Sequence, residues 1–410
     1  MKRIFTLLLF VFCCMQAMPE KPEKKTIQSG EYEREYLLYV PENYNESRPA
    51  GLIICLHGLD RTMNDFFNDY NIAVLAENLN LIVIAPQALP EMNPDVLFTL
   101  QSISALGFDF PISLDAVWGC GLQVVAKAPV FGTILNVTLN TVVDDVAFIK
   151  QIITETEEAY AIIPENKFIF GTSMGGFMSY QYALYHGKDL SGLINICGSM
   201  GTDIQNSSEP IKLPICDFHS VDDEVVPYIG KMNVAALIEA TISKNKEDVI
   251  NYWVNKNGAN TSPIVENINY YPSTTGHSVM KYTYTGDNEV IHYKLKGASH
   301  SYFFSKETDC MDYVEEVAKF ITSNSKVIDS SNDLFMQQKQ LITYPNPVVG
   351  ATVNLNIKQG LAVVYNLNGQ KVLSATIEDG RVNIESLQQG FYIISVIVGN
   401  ETYQGKMIIR

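Results

Sequence analysis

Gly171-Thr172-Ser173-Met174-Gly175 follows a short apolar run, Lys167 to Phe170, and opens an apolar segment that reads as a helix, Ser173 to His186. A G-x-S-x-G between a strand and a helix is a nucleophile elbow: the turn strains the serine backbone, and glycines keep the neighbouring chain clear of clashes. The serine hydroxyl is then presented at the C-terminal edge of a sheet, beside a helix N-terminus that favours negative charge. Glycine turns with an idle serine are common, so the weight of this reading rests on its surroundings.

Working outward, residues 27–325 alternate strand-like and helix-like segments. The apolar runs Gly51 to Leu56, Leu81 to Ala85, Lys167 to Phe170, Leu193 to Cys197, Ile211 to Phe218 and Val290 to Leu295 suit a parallel sheet covered on both faces. Between them, Val142, Val146, Ile149 and Ile153 repeat at helical spacing, as do Cys310, Tyr313, Val314, Val317, Phe320 and Ile321 behind Asp309 as an N-cap. The pattern predicts an α/β doubly wound sheet. Residues 88–141, rich in Pro, Gly and aromatics, fit poorly and read either as a lid or as an extra layer.

Both ends differ in character. Lys2-Arg3, the apolar run Ile4 to Cys14 and Ala17 form a secretory signal pattern over 1–17, too short to span a bilayer. Residues 326–341 are polar and read as a linker. Over 342–410, short β-rich runs separated by turn signals such as Asn368-Gly369 and Gly399-Asn400 predict a small all-β, immunoglobulin-like sandwich with no catalytic cluster.

The 410 residues carry a net charge of −16, with 47% hydrophobic and 18% charged residues. Residues 4–338 hold −20 of this, while Lys2 with Arg3 and residues 339–410 each contribute +2. Such a field argues against nucleic acid, anionic membrane or polyanionic substrate as partner. No run beyond the leader reaches transmembrane length. Of the cysteines after the leader, Cys55, Cys197 and Cys216 sit in apolar runs as core residues, and a Cys120–Cys310 bridge is conceivable in an oxidising compartment but is not established by the sequence.

A serine needs a base, and the base an orienting acid, which in this fold follow in the order Ser, acid, His. After Ser173, the strand ending at Phe218 leads into Asp222, Asp223 and Glu224, all where the acid is expected. The last strand leads into Gly297-Ala298-Ser299-His300, making His300 the base and His277 the runner-up. Oxyanion donors are expected from the Met174 amide and from the loop His57-Gly58-Leu59-Asp60, with Leu59 N–H chosen and Gly58 open. H-E-x-x-H, paired C-x-x-C and glycine-rich phosphate loops are lacking, so the expectation is a hydrolase with no cofactor and no metal.

Leu56-His57-Gly58, Gly171 to Gly176, Asp223-Glu224-Val225-Val226-Pro227-Tyr228, Trp253 with Asn257-Gly258, and Gly297 to His300 together resemble secreted polyhydroxybutyrate-depolymerase-like and feruloyl-esterase-like enzymes. These are α/β-hydrolases of the carbohydrate esterase family one type. The resemblance covers most of 30–325. It implies that the acid of a D-x-x-V-P-Y stretch is Asp223, with Asp222 the fallback, and that the histidine is His300. It further implies cleavage of polyesters, or of feruloyl or acetyl esters on plant polysaccharide. Ser220 stands where a Gly is usual and Tyr302-Phe303 where Trp-Pro is usual, and 98–141 departs from the pattern.

The tail resembles the C-terminal sorting domain of type IX secretion. It does so through Tyr344-Pro345-Asn346-Pro347, Val364 to Lys371, Gly390-Phe391-Tyr392 and Lys406 to Arg410. This implies export across the outer membrane of a Bacteroidota-type, Gram-negative bacterium, with the secretion machinery as partner. The competing expectations are a serine peptidase on the same fold and a surface binding protein on an idle hydrolase fold.

Overall fold

The structure is a computed structural model, and it describes residues 22–42, 44–94, 96, 115–202, 211–235, 238–326, 339–341, 343–366, 371–398 and 401–410. The leader 1–17, most of the linker, residues 97–114 of the irregular stretch, and the turns at 368–369 and 399–400 lie outside them.

Two compact units divide between Lys326 and Val327. In the first, strands β1 (Glu23–Ser29), β2 (Tyr32–Tyr39), β3 (Ala50–Leu56) and β4 (Leu81–Pro86) surround helices α1 (Met63–Asp69) and α2 (Ile72–Leu79). A hairpin, β5 (Gln123–Ala128) and β6 (Gly132–Thr138), precedes α3 (Asp145–Ala159). Then come β7 (Ile162–Thr172), α4 (Met174–His186), β8 (Gly192–Ile196), β9 (Ile215–Ser220), β10 (Lys231–Ala235), β11 (Ile238–Thr241) and α5 (Lys246–Asn257). The unit closes with β12 (Ile264–Asn267), β13 (Ser278–Tyr284), β14 (Val290–Lys296) and α6 (Tyr313–Asn324).

Ten strands form one sheet in the order β1-β2-β4-β3-β7-β8-β9-β14-β13-β12. From β4 to β14 every pairing is parallel, and antiparallel strands flank this centre. The side-chain alternation of β3 shows why both faces are covered. Leu52, Ile54 and Leu56 join one core cluster, and Ile53 and Cys55 the other. The first cluster packs under α3, α4 and α5 through residues such as Phe148, Phe177 and Trp253. The second packs under α1, α2 and α6 through Phe66, Leu75 and Phe320. This is the expected doubly wound α/β-hydrolase sheet.

Several boundaries differ from the sequence reading. The strand predicted over 211–218 begins only at Ile215, after Pro214, and runs to Ser220. The last helix is capped by Asp312, which accepts from the Glu315 amide, rather than by Asp309. Cys120 and Cys310 are both free, because Cys120 packs in the cluster on one face of the sheet and Cys310 in the cluster on the other. The described part of 88–141 contributes β5 and β6 to a second, four-stranded sheet ordered β10-β11-β5-β6.

The second unit is one eight-stranded sheet: β15 (Lys339–Gln340), β16 (Thr343–Tyr344), β17 (Thr352–Leu355), β18 (Gln359–Asn366), β19 (Lys371–Glu378), β20 (Arg381–Asn383), β21 (Gly390–Val398) and β22 (Glu401–Ile409). It curls over its own core of Val353, Val364, Val382, Ile394, Val396 and Met407. The Thr343 hydroxyl reaches across to donate to the Lys406 carbonyl, 2.8 Å. The result is a sandwich-like all-β unit.

Candidate active site

The parallel register brings five strand ends level at the C-terminal edge of the sheet. Leu56 stands beside Gly171, Thr172 beside Ile196, Asn195 beside Asp217 and Ser220 beside Leu295. The loops that follow therefore converge where open α/β sheets hold their ligands.

Ser173 sits between β7 and α4 with φ 52 and ψ −122, a conformation that a non-glycine residue adopts only under constraint. Packing supplies the constraint. A Cβ on Gly171 would lie 2.1 Å from the Gly175 carbonyl oxygen, and one on Gly175 would lie 2.0 Å from the Leu56 carbonyl oxygen. The two motif glycines thus let α4 descend onto β3 and β7. Met174 is the first residue of α4, and the amide at that position has no acceptor one turn back within the helix.

His300 meets both other members of the predicted set. Its Nε2 is 2.9 Å from Ser173 Oγ, and its Nδ1 is 2.8 and 3.0 Å from the two oxygens of Asp223. Asp223 is buried and accepts the backbone N–H groups of Val225, 2.9 Å, and Val226, 2.8 Å. Burial opposes its charge, but the His300 hydrogen bond and charge, His219 and the Val226 amide outweigh that and hold its carboxyl below the usual range. Burial likewise opposes a charged His300, and the neighbouring Cys197 sulfur and Asp223 carboxylate outweigh it and raise the ring above its ordinary value.

The alternatives fall elsewhere. Asp222 accepts from the Gly297 amide at 2.7 Å, tethering the base of the His300 loop. Glu224 faces the His300 amide at 3.4 Å. His277 forms its own couple with buried Asp309, Nδ1 to Oδ1 3.0 Å. Asp309 also accepts from Thr275, Tyr302 and Thr308.

The loop after β3 faces the serine: a Cβ on Gly58 would lie 3.2 Å from Ser173 Cβ. In it, Asp60 N–H and Arg61 N–H are committed to the Ala116 and Gly58 carbonyls. The His57 ring anchors this loop from below. Ala88 N–H donates to its Nε2 at 3.0 Å, so Nδ1 carries the proton and donates to Gly58 O at 2.7 Å. Burial pushes this ring down to about 4, only partly countered by the Gly58 bond, so it is neutral. Trp118 Nε1 donates to the His57 carbonyl at 2.8 Å.

A buried polar network behind the site was not legible in the sequence. Asp217, on β9, accepts from Asn195 (2.6 Å), His292 (2.8 Å), Lys246 (2.9 Å) and Tyr180 (3.0 Å). Burial would raise its carboxyl, and the Lys246 charge and the His292 bond instead hold it far below the usual range. Lys246 also donates to Gly198 O at 2.6 Å, the carbonyl that His219 Nδ1 faces at 3.2 Å. Nothing in the spacing of Asn195, Asp217, Lys246 and His292 announces this cluster, since the residues come from four elements.

Residues 138–253 match the Phospholipase/Carboxylesterase family, a span holding Ser173 and Asp223 and ending before His300. Residues 343–410 match the Secretion system C-terminal sorting domain. The chain thus carries one segment similar to an esterase family and, after it, one similar to a secretion sorting domain. It is 25% identical over 209 residues to the Probable feruloyl esterase C of Aspergillus flavus, covering 50% of this chain and 60% of that protein. Against Feruloyl esterase C of Emericella nidulans it is 24% identical over 202 residues, covering 49% and 59%. The chain therefore spans about 60% of the length of the curated relatives it matches. Among solved structures, the acetyl xylan esterase from Aspergillus awamori is similar with a TM-score of 0.47 and 14% identity, covering 73% of this chain and 99% of that one. An S-formylglutathione hydrolase from Agrobacterium tumefaciens has a TM-score of 0.44 and 13% identity, covering 73% and 94%. Among the described residues, no helix is long and apolar enough to cross a membrane.

Proposed function

We propose that the first unit is a serine carboxylic ester hydrolase and that Ser173, His300 and Asp223 are its triad. The supporting observation is the continuous contact from Ser173 Oγ through the His300 ring to Asp223, at 2.9 and 2.8 Å. In this reading Ser173 Oγ attacks the ester carbonyl while His300 Nε2 takes its proton. Asp223 holds Nδ1–H and stabilises the imidazolium. The Met174 and Leu59 amides receive the oxyanion. His300 returns the proton to the departing alcohol, leaving an acyl-enzyme that water opens by the same proton path. No cofactor enters the scheme.

The substrate class proposed is a neutral ester: a feruloyl or acetyl group on plant polysaccharide, or a polyester oligomer. The net charge of −16 disfavours polyanions. Val225 and Ile229, on the loop carrying Asp223, expose 47% and 60% of their surface and offer apolar contact to an acyl group. Residues 342–410 are proposed to engage the type IX machinery of a Bacteroidota-type bacterium, placing the mature protein outside the cell or on its outer surface.

Initial rates on p-nitrophenyl acetate and butyrate, methyl ferulate, acetylated xylan and a hydroxybutyrate oligomer test this reading, with Ser173→Ala as blank. The expected result is turnover that falls by roughly a thousandfold or more in the variant. Equal rates in both proteins would overturn the assignment of Ser173, and silence on every ester would overturn the esterase reading.

A further inference from the structure

Cys197 follows β8, one strand over from Ser173, with φ 50, a left-handed backbone that is unusual for cysteine. Its thiol is buried at the floor of the site, with Sγ 3.6 Å from the Thr172 hydroxyl and 3.5 Å from the Ser301 hydroxyl. Acyl transfer by Ser173, His300 and Asp223 gives this sulfur no task. One donor atom each from Cys197, Asp223 and His300 nevertheless lies within 4.8 Å of the other two.

Thiolate, imidazole and carboxylate are the side-chain donors that Zn²⁺ takes, at about 2.0–2.3 Å. Tetrahedral donors at such bond lengths stand roughly 3.5 Å apart, so shifts of about an ångström would close this cluster on an ion. The sequence carries no metal motif because the three residues come from three separate loops, after β8, β9 and β14. We propose that Cys197, Asp223 and His300 form a site for a thiophilic divalent cation such as Zn²⁺, and that the bound ion holds the ester hydrolase off. A water or the Ser301 hydroxyl completes the coordination.

The blocking follows from His300. An ion on Nδ1 replaces the proton shared with Asp223; that proton moves to Nε2, which then presents an N–H to Ser173 instead of a lone pair. An ion on Nε2 occupies that lone pair directly. In either case the Cys197 thiol gives its proton to solvent on ligation. Mg²⁺ and Ca²⁺, which require oxygen donors, find one carboxylate among these three side chains and leave turnover unaffected. The inhibitory part rests on the esterase reading above, and the binding part does not.

The test uses the full chain, with Co²⁺ as the spectroscopic probe and Zn²⁺ followed by calorimetry. Wild type is expected to show thiolate-to-cobalt charge-transfer absorption that disappears in both Cys197→Ala and the isosteric Cys197→Ser. Zn²⁺ affinity should weaken by roughly tenfold or more in each, since even outer-sphere changes at metal sites cost 10–100-fold. Zn²⁺ inhibition, expressed against each protein's own metal-free rate, should weaken in parallel. No thiolate band in wild type, a band that survives in both variants, or inhibition unchanged by them would each overturn the site. A band and tight Zn²⁺ binding in a chain with no ester turnover would uphold the site and overturn the esterase reading.

Discussion

At the scale of single residues, two neighbouring acids have different work. Asp223 lies against His300 and takes two backbone amides, whereas Asp222 tethers Gly297. Asp223→Asn should leave the fold intact and lower kcat by about 10⁴, because the amide no longer fixes the His300 tautomer. Asp222→Asn still presents an oxygen to Gly297 and should keep turnover within about tenfold of wild type, as expected for a neutral hydrogen bond replacing a charge-assisted one. Measuring kcat for both on one p-nitrophenyl ester settles the order; a larger loss in the Asp222 variant would reverse the roles. The residues alone left these acids open, because adjacent side chains on one loop share composition and differ only in direction. Direction is set by the Val225 and Val226 amides that Asp223 takes up. Trp118 illustrates the opposite limit. Its bond to the His57 carbonyl joins residues 61 apart, and no local pattern carries that information.

The elements carried most of what could be read in advance. β3, apolar along its length, and the glycine-framed turn between β7 and α4 are local signals, and the sheet follows from them. The helix start at Asp309 failed because an aspartate near a helix is a cap only if its side chain is free to reach back. Asp309 is occupied by His277, Thr275 and Thr308, and Asp312 does the capping. The packing of α4 onto β3 gives a sharper expectation. Gly175→Ala places a methyl 2.0 Å from the Leu56 carbonyl oxygen, against backbone that cannot rotate away. The loss of stability should be about 3 kcal/mol or more, the upper end for overpacking. Urea unfolding measures it, and a variant as stable as wild type would show that α4 does not approach β3 so closely.

Across the whole molecule, the two units are built on separate cores. The sandwich-like tail has its own core cluster, and among the described residues the cores of the first unit include none from it. A chain ending at Lys326 should therefore fold and turn over esters at the full-length rate; a collapse of either would tie the tail to the hydrolase rather than to sorting alone. Within the first unit, Asp217 is a fully buried charge paired with Lys246. Its carboxyl titrates well below the usual range in the folded state and near about 3.9 in the unfolded chain. Folding therefore gains stability from it at any pH above that unfolded value, and the gain is lost progressively as pH falls toward the folded one. Asp217→Asn removes this contribution and leaves Lys246 as a buried charge without its partner, a loss of about 3–5 kcal/mol near neutrality. Urea-unfolding free energies for both proteins, taken from pH 6 downward, should converge as acid removes from wild type what the variant already lacks. Parallel curves with a constant gap would mean that Asp217 keeps its proton balance on unfolding, and that Lys246 is held by its carbonyl contact to Gly198 instead.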